Sequence, residues 1–259
     1  MGKVTTSFGG SDNEANAVAI QANGKIVAAG FGPASPGNGG FALARYNLDG
    51  SLDSSFGGSG KVTTSFNSNG FAKAKAMAVQ SDGKIVAAGF AADGRDHFAL
   101  ARYNINGSLD SSFGSGGRVT TDILVNGLAR VNAIALEPDG KIVVAGVSDA
   151  ANHRPVISLA RYNVDGSLDP TFGVGGKVAA GFHDEKDHLA NAIAIQADGK
   201  LVVAGQSGDG NDSDFVLARY NSDGSLDGSF GSNGIVTTQF GGNFFATAVA
   251  IQANGSIVG

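Results

Sequence analysis

A chain of 259 residues with 42% hydrophobic residues is long and apolar enough to bury a core, which excludes a disordered chain. The formal net charge of −5, without clustered Lys or Arg, argues against a nucleic-acid groove, and the absence of Cys excludes disulfides and thiolate metal sites. No apolar run approaches the roughly 20 residues that cross a bilayer, so membrane insertion is not expected.

One stretch recurs along the whole chain. The 14-residue segment Ala44–Gly57, ARYNLDGSLDSSFG, returns almost unchanged at Ala101, Ala160 and Ala218. The residue that precedes each VTT-like segment recurs with a period close to 58 residues, at Lys3, Lys61, Arg118, Lys177 and Ile235. A fixed period of this length indicates a repeat architecture, in which each unit packs on its neighbours.

Each repeat contains four short runs with strand character. Run A, Ala15–Gln21, alternates Ala with branched residues, and run B, Lys25–Phe31, follows a tight Asn-Gly turn. Run C, Phe41–Asn47, ends at an Asp-Gly turn, and run D extends from Ser51 to Phe66. The third copy of run D contains Pro170, which is tolerated mainly at strand starts and on edge strands, so run D is placed outermost.

Four antiparallel strands per 58-residue unit predict an all-β β-propeller, because a β-helix has a shorter period and sandwich domains need more strands. In one domain, 1–259, we expect full blades at 15–66, 74–122, 131–180 and 190–240, a partial blade at 246–259 and an N-terminal strand at 3–8. The incomplete fifth blade indicates a fragment of a longer propeller, with an open end that allows self-association. The alternative is a short protein that closes with a three-stranded fifth blade. The expected wedges between blades are Phe56, Phe113, Phe172 and Phe230.

These motifs resemble a known family. ARYNxDGSLDxSFG, followed by GKVTT and AIQxDGKIVxAG, is similar to the delta-60 repeat of bacterial proteins, a domain of unknown function with a β-propeller fold. The resemblance covers essentially the whole chain. It implies a propeller of an extracellular or cell-surface bacterial protein, with no established activity and no catalytic residues to carry over.

The repeated motif contains oxygen-bearing side chains at alternate positions: Asn47, Asp49, Ser51 and Asp53. This spacing resembles part of a calcium loop but lacks the terminal bidentate Glu of an EF-hand. A structural interpretation is favoured, in which Asp53 pairs with Arg45 or bonds the local backbone. No cofactor is expected, and Ca²⁺ stays the alternative.

The copies differ most in two sets of connections, B to C and D to A. In an up-and-down blade these connections emerge on the same face, which is therefore the expected binding face, unless the variation is neutral drift in tolerant loops. The B to C connections are 32–40, 91–97, 148–156 and 207–214, and the D to A connections are 9–14, 67–73, 123–130, 182–189 and 241–245. The binding-face candidates are Arg95, His97, His153, Arg154, His183, Glu185, Asp212 and Phe244.

All four His residues are expected in these loops, and two of them belong to the segment HDEKDH. Its side chains could hold a divalent metal or act as acid and base, and the alternative is a solvated charged loop. The metal-ligand candidates are His183, Asp184, Asp187 and His188.

The functional hypothesis is a non-enzymatic binding or structural module that contacts a glycan, peptide or protein through the variable face. The alternative is a polysaccharide hydrolase or lyase that uses carboxylates or His from the same loops. A third possibility is that the blades space other domains.

Overall fold

The computed structural model describes residues 2–10, 12–34, 38–68, 70–125, 127–149, 154–180, 186–208 and 212–259. Two compact units divide the chain, Met1–Thr121 (unit 1) and Asp122–Gly259 (unit 2). All of the long elements are strands, as the alternating apolar runs predict. Within the described residues, no helix is long and apolar enough to cross a membrane.

Unit 1 contains two four-stranded sheets. Sheet 1 consists of β1 (Glu14–Ile20), β2 (Ile26–Gly32), β3 (Gly40–Tyr46) and β4 (Lys61–Thr64). Sheet 2 consists of β5 (Phe71–Val79), β6 (Ile85–Ala92), β7 (Asp96–Tyr103) and β8 (Arg118–Thr121).

Unit 2 repeats this pattern and adds a short hairpin. Sheet 3 consists of β9 (Ala129–Leu136), β10 (Ile142–Asp149), β11 (Pro155–Tyr162) and β12 (Lys177–Ala180). Sheet 4 consists of β13 (Asp187–Ile195), β14 (Leu201–Gly208), β15 (Ser213–Tyr220) and β16 (Ile235–Thr238). The hairpin pairs β17 (Ala250–Ile251) with β18 (Ile257–Val258).

The strand order confirms the predicted order of runs A to D. In all four sheets each strand pairs antiparallel with its neighbour in sequence, so runs A and D form the two edges. The turn between runs C and D is a three-residue loop, since Asn47 N donates to Ser51 O at 2.9 Å and Gly50 has φ +83°. Glycine suits this left-handed position because it has no Cβ.

Run D was predicted as strand from Ser51 to Phe66, and most of that range is wrong. Only the KVTT part, β4, is a strand, and the preceding SLDSSFG segment forms turns. The physical reason is local hydrogen bonding, because Asp53 Oδ1 accepts from Ser55 N at 3.1 Å and from Ser55 Oγ at 2.7 Å. Such side-chain bonds compete with a ladder and hold the chain in a turn.

Residues 3–8, predicted as a strand, lie in no strand. Their contacts nevertheless match those of the outer strand of sheet 1. Tyr46 Oη donates to Thr6 Oγ1 at 2.8 Å, as Tyr103 Oη does to Thr64 Oγ1 at 2.8 Å. The segment therefore packs where the run D of a preceding blade would pack.

The core of each unit lies between its two sheets, where the repeated Phe acts as the predicted wedge. Phe56 is fully buried in a cluster that includes residues of sheets 1 and 2, and a Cβ on Gly107 would lie 3.0 Å from its ring. In unit 2, Phe172 packs against Gly224 in the same way. Phe230, the last copy, is only half-buried.

A glycine in the middle of run B marks a second close approach. The register of β5 and β6 shifts between Ala74 and Ala76, and this bulge brings a carbonyl against the neighbouring strand. A Cβ on Gly89 would lie 1.9 Å from Lys73 O, so only glycine fits. The same approach occurs at Gly30, Gly146 and Gly205.

Candidate functional site

The repeated motif builds an ionic cluster at the sheet end that carries the A–B and C–D turns, which we call the scaffold end. Asp53 is buried, and its Oδ2 atom accepts from Lys25 Nζ at 2.6 Å and from Arg45 Nε at 2.7 Å. Arg45 also donates from Nη1 to Ile105 O of sheet 2 at 2.5 Å. The cluster therefore links run B, run C and run D of one sheet to the next sheet.

The other sheets contain the same cluster. In sheet 3, Asp169 Oδ2 lies 2.9 Å from Arg161 Nε and 3.4 Å from Lys141 Nζ, and Arg161 donates to Ser222 O at 2.5 Å. Burial raises the pKa of Asp169, but hydrogen bonds from Thr171 and the charges of Arg161 and Lys141 outweigh burial and lower it to about 2. The equivalent carboxylates are Asp110 and Asp227.

These contacts support the structural interpretation of the repeated motif. Asp53 pairs with Arg45 as predicted, while Asp49 Oδ1 accepts from Ser51 N at 2.9 Å and from Ser51 Oγ at 2.6 Å. Asn47 Nδ2 donates to Ser51 Oγ at 3.0 Å. Asp49 Oδ1, the Ser51 hydroxyl and the Asn47 amide nitrogen thus hold the turn.

The opposite end of each sheet carries the B–C and D–A connections, and we call it the variable end. In unit 1 the connections after β2, β4 and β6 meet there, as the up-and-down topology predicts. They enclose an open cleft of about 510 Å³, which we call the loop cleft. Its described lining residues are Asn38, Asn67, Ser68, Gly70, Phe71, Ala92, Asp93 and Gly94.

Hydrogen bonds hold the walls of the loop cleft together. Asn67 Nδ2 donates to Ala92 O at 2.9 Å, and Asn38 N donates to Gly70 O at 3.2 Å. Gly39 and Phe71 form a parallel bridge between sheets 1 and 2. These contacts therefore tie the described parts of the cleft wall to one another before any ligand enters.

One aromatic ring, Phe71, lines the loop cleft, and two others pack beside it. Phe71 stacks on Phe31 with ring centroids 4.8 Å apart, and Phe90 lies 5.9 Å from Phe71. Phe31 and Phe71 are half-buried, so part of each ring reaches the surface. The group is specific to unit 1, since Val147 and Gln206 occupy the positions of Phe31 and Phe90 in β10 and β14.

An acidic side chain at the mouth of the cleft is paired with a histidine. Asp93 Oδ1 lies 2.7 Å from His97 Nε2, and 61% of the Asp93 side chain is exposed. The hydrogen bond from His97 lowers the pKa of Asp93, so this carboxylate is ionised at neutral pH. The sequence placed His97 in a loop, but it lies in β7 because the hairpin pairing continues to Asp96.

The variable end of unit 2 contains a second polar group, in sheet 4. Asp214 is buried, and its Oδ2 atom accepts from Lys186 Nζ at 3.1 Å and from Gln239 Nε2 at 3.4 Å. His188, Ser207 and Asp214 face one another in register across β13, β14 and β15, and all three are buried. The same row holds one polar residue in each of the two preceding sheets, His97 and Ser148.

The order of this row does not match a Ser-His-Asp relay. Such a relay needs the imidazole between the other two groups, whereas here Ser207 lies between His188 and Asp214. Strands spaced about 4.8 Å apart place the Cα atoms of the outer pair about 9–10 Å from each other. Asp214 instead pairs with Lys186, so the row is a buried polar cluster without the order that a nucleophilic relay needs.

The structure constrains part of the predicted metal site. Asp187 and His188 are consecutive residues of β13, so their side chains leave opposite faces of the sheet and do not converge. The strand extends to Asp187 because pairing with β14 continues to Gly208, and this removes His188 from the predicted loop. His183 and Asp184 lie outside the described residues. Among the residues that are described, no group of three or more His, Asp or Glu could hold a metal.

The remaining binding-face candidates divide between the units. Arg95 lies half-buried in the connection between β6 and β7, and its carbonyl accepts from Asp93 N at 3.2 Å. In unit 2, Arg154 is half-buried, Asp212 is exposed, and the Phe244 side chain lies at the surface with its ring centroid 5.4 Å from Phe240. His153 and Glu185 lie outside the described ranges. The sequence reasoning missed Asn67, Phe71 and Asp93, although all three fall within or beside the variable connections.

The comparison with protein-family models gives one family. Four segments match the model described as "Domain of unknown function (DUF5122) beta-propeller", at residues 21–56, 80–113, 137–172 and 196–230. Each segment starts near the A–B turn and ends at the repeated Phe, and together they cover more than half of the chain. A search of curated proteins found no match.

Solved structures with very different sequences share the fold. A polysaccharide lyase, an ulvan lyase, aligns with TM-score 0.52 at 13% identity over 88% of this chain and 59% of its own. A protein of unknown function from Dyadobacter fermentans gives TM-score 0.48 at 12% identity, over 88% of this chain and 65% of its own. An α-L-arabinofuranosidase from Clostridium thermocellum gives TM-score 0.44 at 14% identity, over 86% and 72%. This chain thus spans about three fifths of the lyase, and at such identities the likeness concerns the fold alone.

Proposed function

The chain belongs to the DUF5122 β-propeller family, and we propose that it is a non-enzymatic binding module that contacts its ligand through the variable ends of its blades. The ligand class is a glycan, a peptide or a protein surface. We further propose, from the resemblance to the delta-60 repeat, that the module belongs to an exported or cell-surface bacterial protein.

The observation that carries this proposal is the contrast between the two ends of the sheets. The scaffold end of each four-stranded sheet repeats the same Lys, Arg and Asp cluster. These charged groups pair with one another and contact neighbouring strands and sheets. The variable ends hold groups that are not repeated, the aromatic and polar lining of the loop cleft in unit 1 and the buried row of sheet 4. Side chains that differ between otherwise identical blades suit recognition of one ligand.

The loop cleft is the better defined contact surface, since the row of sheet 4 is buried. Its volume of about 510 Å³ falls within the range of about 300–1,000 Å³ that small-molecule sites occupy. The bonds of Asn38 and Asn67 to backbone carbonyls hold its walls in place. The loops therefore lose little conformational entropy when a ligand binds. A preformed cleft with few polar groups and an aromatic wall has the composition of a binding site.

The binding proposal is tested by probing arrays of immobilised oligosaccharides and of peptides with the fluorescently labelled chain. The bound spots are probed again with Asn67→Ala and Asp93→Ala at the variable end, and with Asp49→Asn at the scaffold end as the control. Asn106 already occupies the position of Asp49 in the second repeat, so the control preserves the turn.

We expect at least one ligand that the control retains and that both variable-end variants bind more weakly. Circular dichroism and thermal unfolding of each variant verify that the fold is intact. The proposal is overturned if neither array yields a bound spot, or if binding weakens with Asp49→Asn and not with the other two.

A further inference from the structure

The loop cleft offers its ligand both hydrogen-bond donors and hydrogen-bond acceptors. Asn38 and Asn67 carry amides, Ser68 carries a hydroxyl, and Asp93 carries an ionised carboxylate. Asn38, Ser68 and Asp93 are exposed, so a ligand in the cleft can reach them. A ligand rich in hydroxyl groups suits this lining because each hydroxyl both donates and accepts.

The aromatic wall adds a flat apolar surface. Phe71 lines the cleft and is backed by the Phe31 ring at 4.8 Å, so its position is fixed by stacking. The equivalent of Phe71 in sheet 4 is Asp187, which shows that the fold does not require an aromatic residue at this place. A ring that the fold does not need, held at the wall of a cleft, provides a platform for an apolar face of the ligand.

The charge of the lining limits the ligand further. Of the eight described lining residues, none carries a positive charge, and Asp93 carries a negative one; His97 and Arg95 lie near Asp93 and lower its pKa, but neither lines the cleft. An anionic ligand would lie beside this carboxylate and be repelled. The lining therefore disfavours phosphate groups, uronates and sulfated sugars.

We propose that the loop cleft binds a neutral sugar unit of a carbohydrate chain, with an apolar face of the sugar ring on Phe71 and its hydroxyls on Asn38, Asn67, Ser68 and Asp93. Sugar rings combine an apolar face with neutral hydroxyls, which matches both parts of the lining. This inference rests on the proposed binding function and names the ligand class of its best defined surface.

Isothermal titration calorimetry tests the inference with four probes, the β-1,4-linked hexamers of glucose, of mannose and of their oxidised counterparts, glucuronate and mannuronate. Each neutral hexamer differs from its uronate only at C6, so the pair isolates the effect of charge. We expect at least one neutral hexamer to bind, and its uronate to bind at least about tenfold more weakly at low salt.

Variants locate the bound sugar. Phe71→Ala is expected to weaken binding of the neutral hexamer at least about tenfold. Phe71→Leu keeps apolar volume but removes the flat ring, so weaker binding in this variant is not explained by unfolding. Asp93→Asn is expected to reduce the discrimination between neutral hexamer and uronate. Leu48→Ala, which removes an exposed apolar side chain from the scaffold end of unit 1, is the control and is expected to leave the affinity unchanged.

The possible outcomes separate this inference from the binding proposal. It is overturned if the uronates bind as tightly as the neutral hexamers, if neither neutral hexamer binds, or if Leu48→Ala weakens binding as much as Phe71→Leu does. A peptide that binds the chain and loses affinity with Asp93→Ala would keep the binding proposal and remove the sugar as its ligand.

Discussion

The ionic cluster of sheet 3 gives the most quantitative prediction for stability, through the substitution Asp169→Asn. Asparagine has almost the same shape but no charge, so Lys141 and Arg161 keep their places and lose their carboxylate partner. The Asp169 side chain is only 4% exposed, which means that water cannot replace the lost interaction.

The magnitude follows from the pKa of Asp169. The folded protein lowers this pKa from 3.8 to about 2, and one pKa unit corresponds to about 1.4 kcal/mol, so the charged form contributes about 2 kcal/mol. Because the pKa is lower in the folded state, the contribution is complete above about pH 4 and disappears as the pH falls toward 2. At neutral pH, Asp169→Asn should therefore reduce the free energy of unfolding by about 2 kcal/mol.

The assay is urea denaturation of both proteins, followed by circular dichroism, at several pH values from 7 down to 3. The difference between the two should stay constant down to about pH 5 and shrink below pH 4. Asp165→Asn is the control, since Asp165 accepts bonds from Ser167 within the turn and asparagine occupies this position in the second repeat, as Asn106. A difference below about 0.5 kcal/mol at pH 7, or one that does not depend on pH, would refute this account of the cluster.

Three further predictions concern the core. Tyr103→Phe removes the hydroxyl that donates to Thr64 at 2.8 Å, and it should lower the free energy of unfolding in urea by about 1 kcal/mol; no change would contradict a role for this bond. Gly89→Ala places a Cβ 1.9 Å from Lys73 O and should cost about 3 kcal/mol or more, measured by thermal unfolding; an unchanged melting temperature would show that the bulge relaxes freely. Burial raises the pKa of Tyr103 and Tyr220, so near-ultraviolet absorbance should show that neither ionises until the chain unfolds at high pH, whereas ordinary titration near pH 10 would contradict their burial.

Much of the fold was predictable because the repeat shows each local signal four times. The Asp-Gly turns, the alternation in run A and the run lengths fixed the strand order A to D, which the sheets confirm. The error in run D came from treating SLDSSFG as extended, although Asp53 and Ser55 bond each other and hold the segment in a turn. Hydrogen bonds from Asx and Ser side chains to the backbone compete with strand pairing. The spacing of apolar residues carries no information on these bonds, so it does not predict the turn.

The candidate site was predictable only as a region. Comparing the copies located the variable connections, and the structure brings three of them together at the loop cleft of unit 1. Asn67 and Phe71 are important there, but the sequence does not distinguish them from other residues that vary between the repeats. Their role depends on contacts with another sheet, which the sequence does not show. Strands β7 and β13 are also longer than predicted. His97 and His188 continue the pairing with β6 and β14, although the polar residues around them are not typical of a strand.

The central claim is that scaffold ends hold the blades together and variable ends bind. Two variants of the same sheet test it in parallel, Asp110→Asn in the ionic cluster and Asp93→Asn at the loop cleft, each measured for stability in urea and for affinity toward the ligand that the arrays identify. We expect Asp110→Asn to lose about 2 kcal/mol of stability and keep its affinity, and Asp93→Asn to keep its stability and lose affinity severalfold. Loss of affinity in Asp110→Asn without loss of stability, together with unchanged binding in Asp93→Asn, would contradict the account.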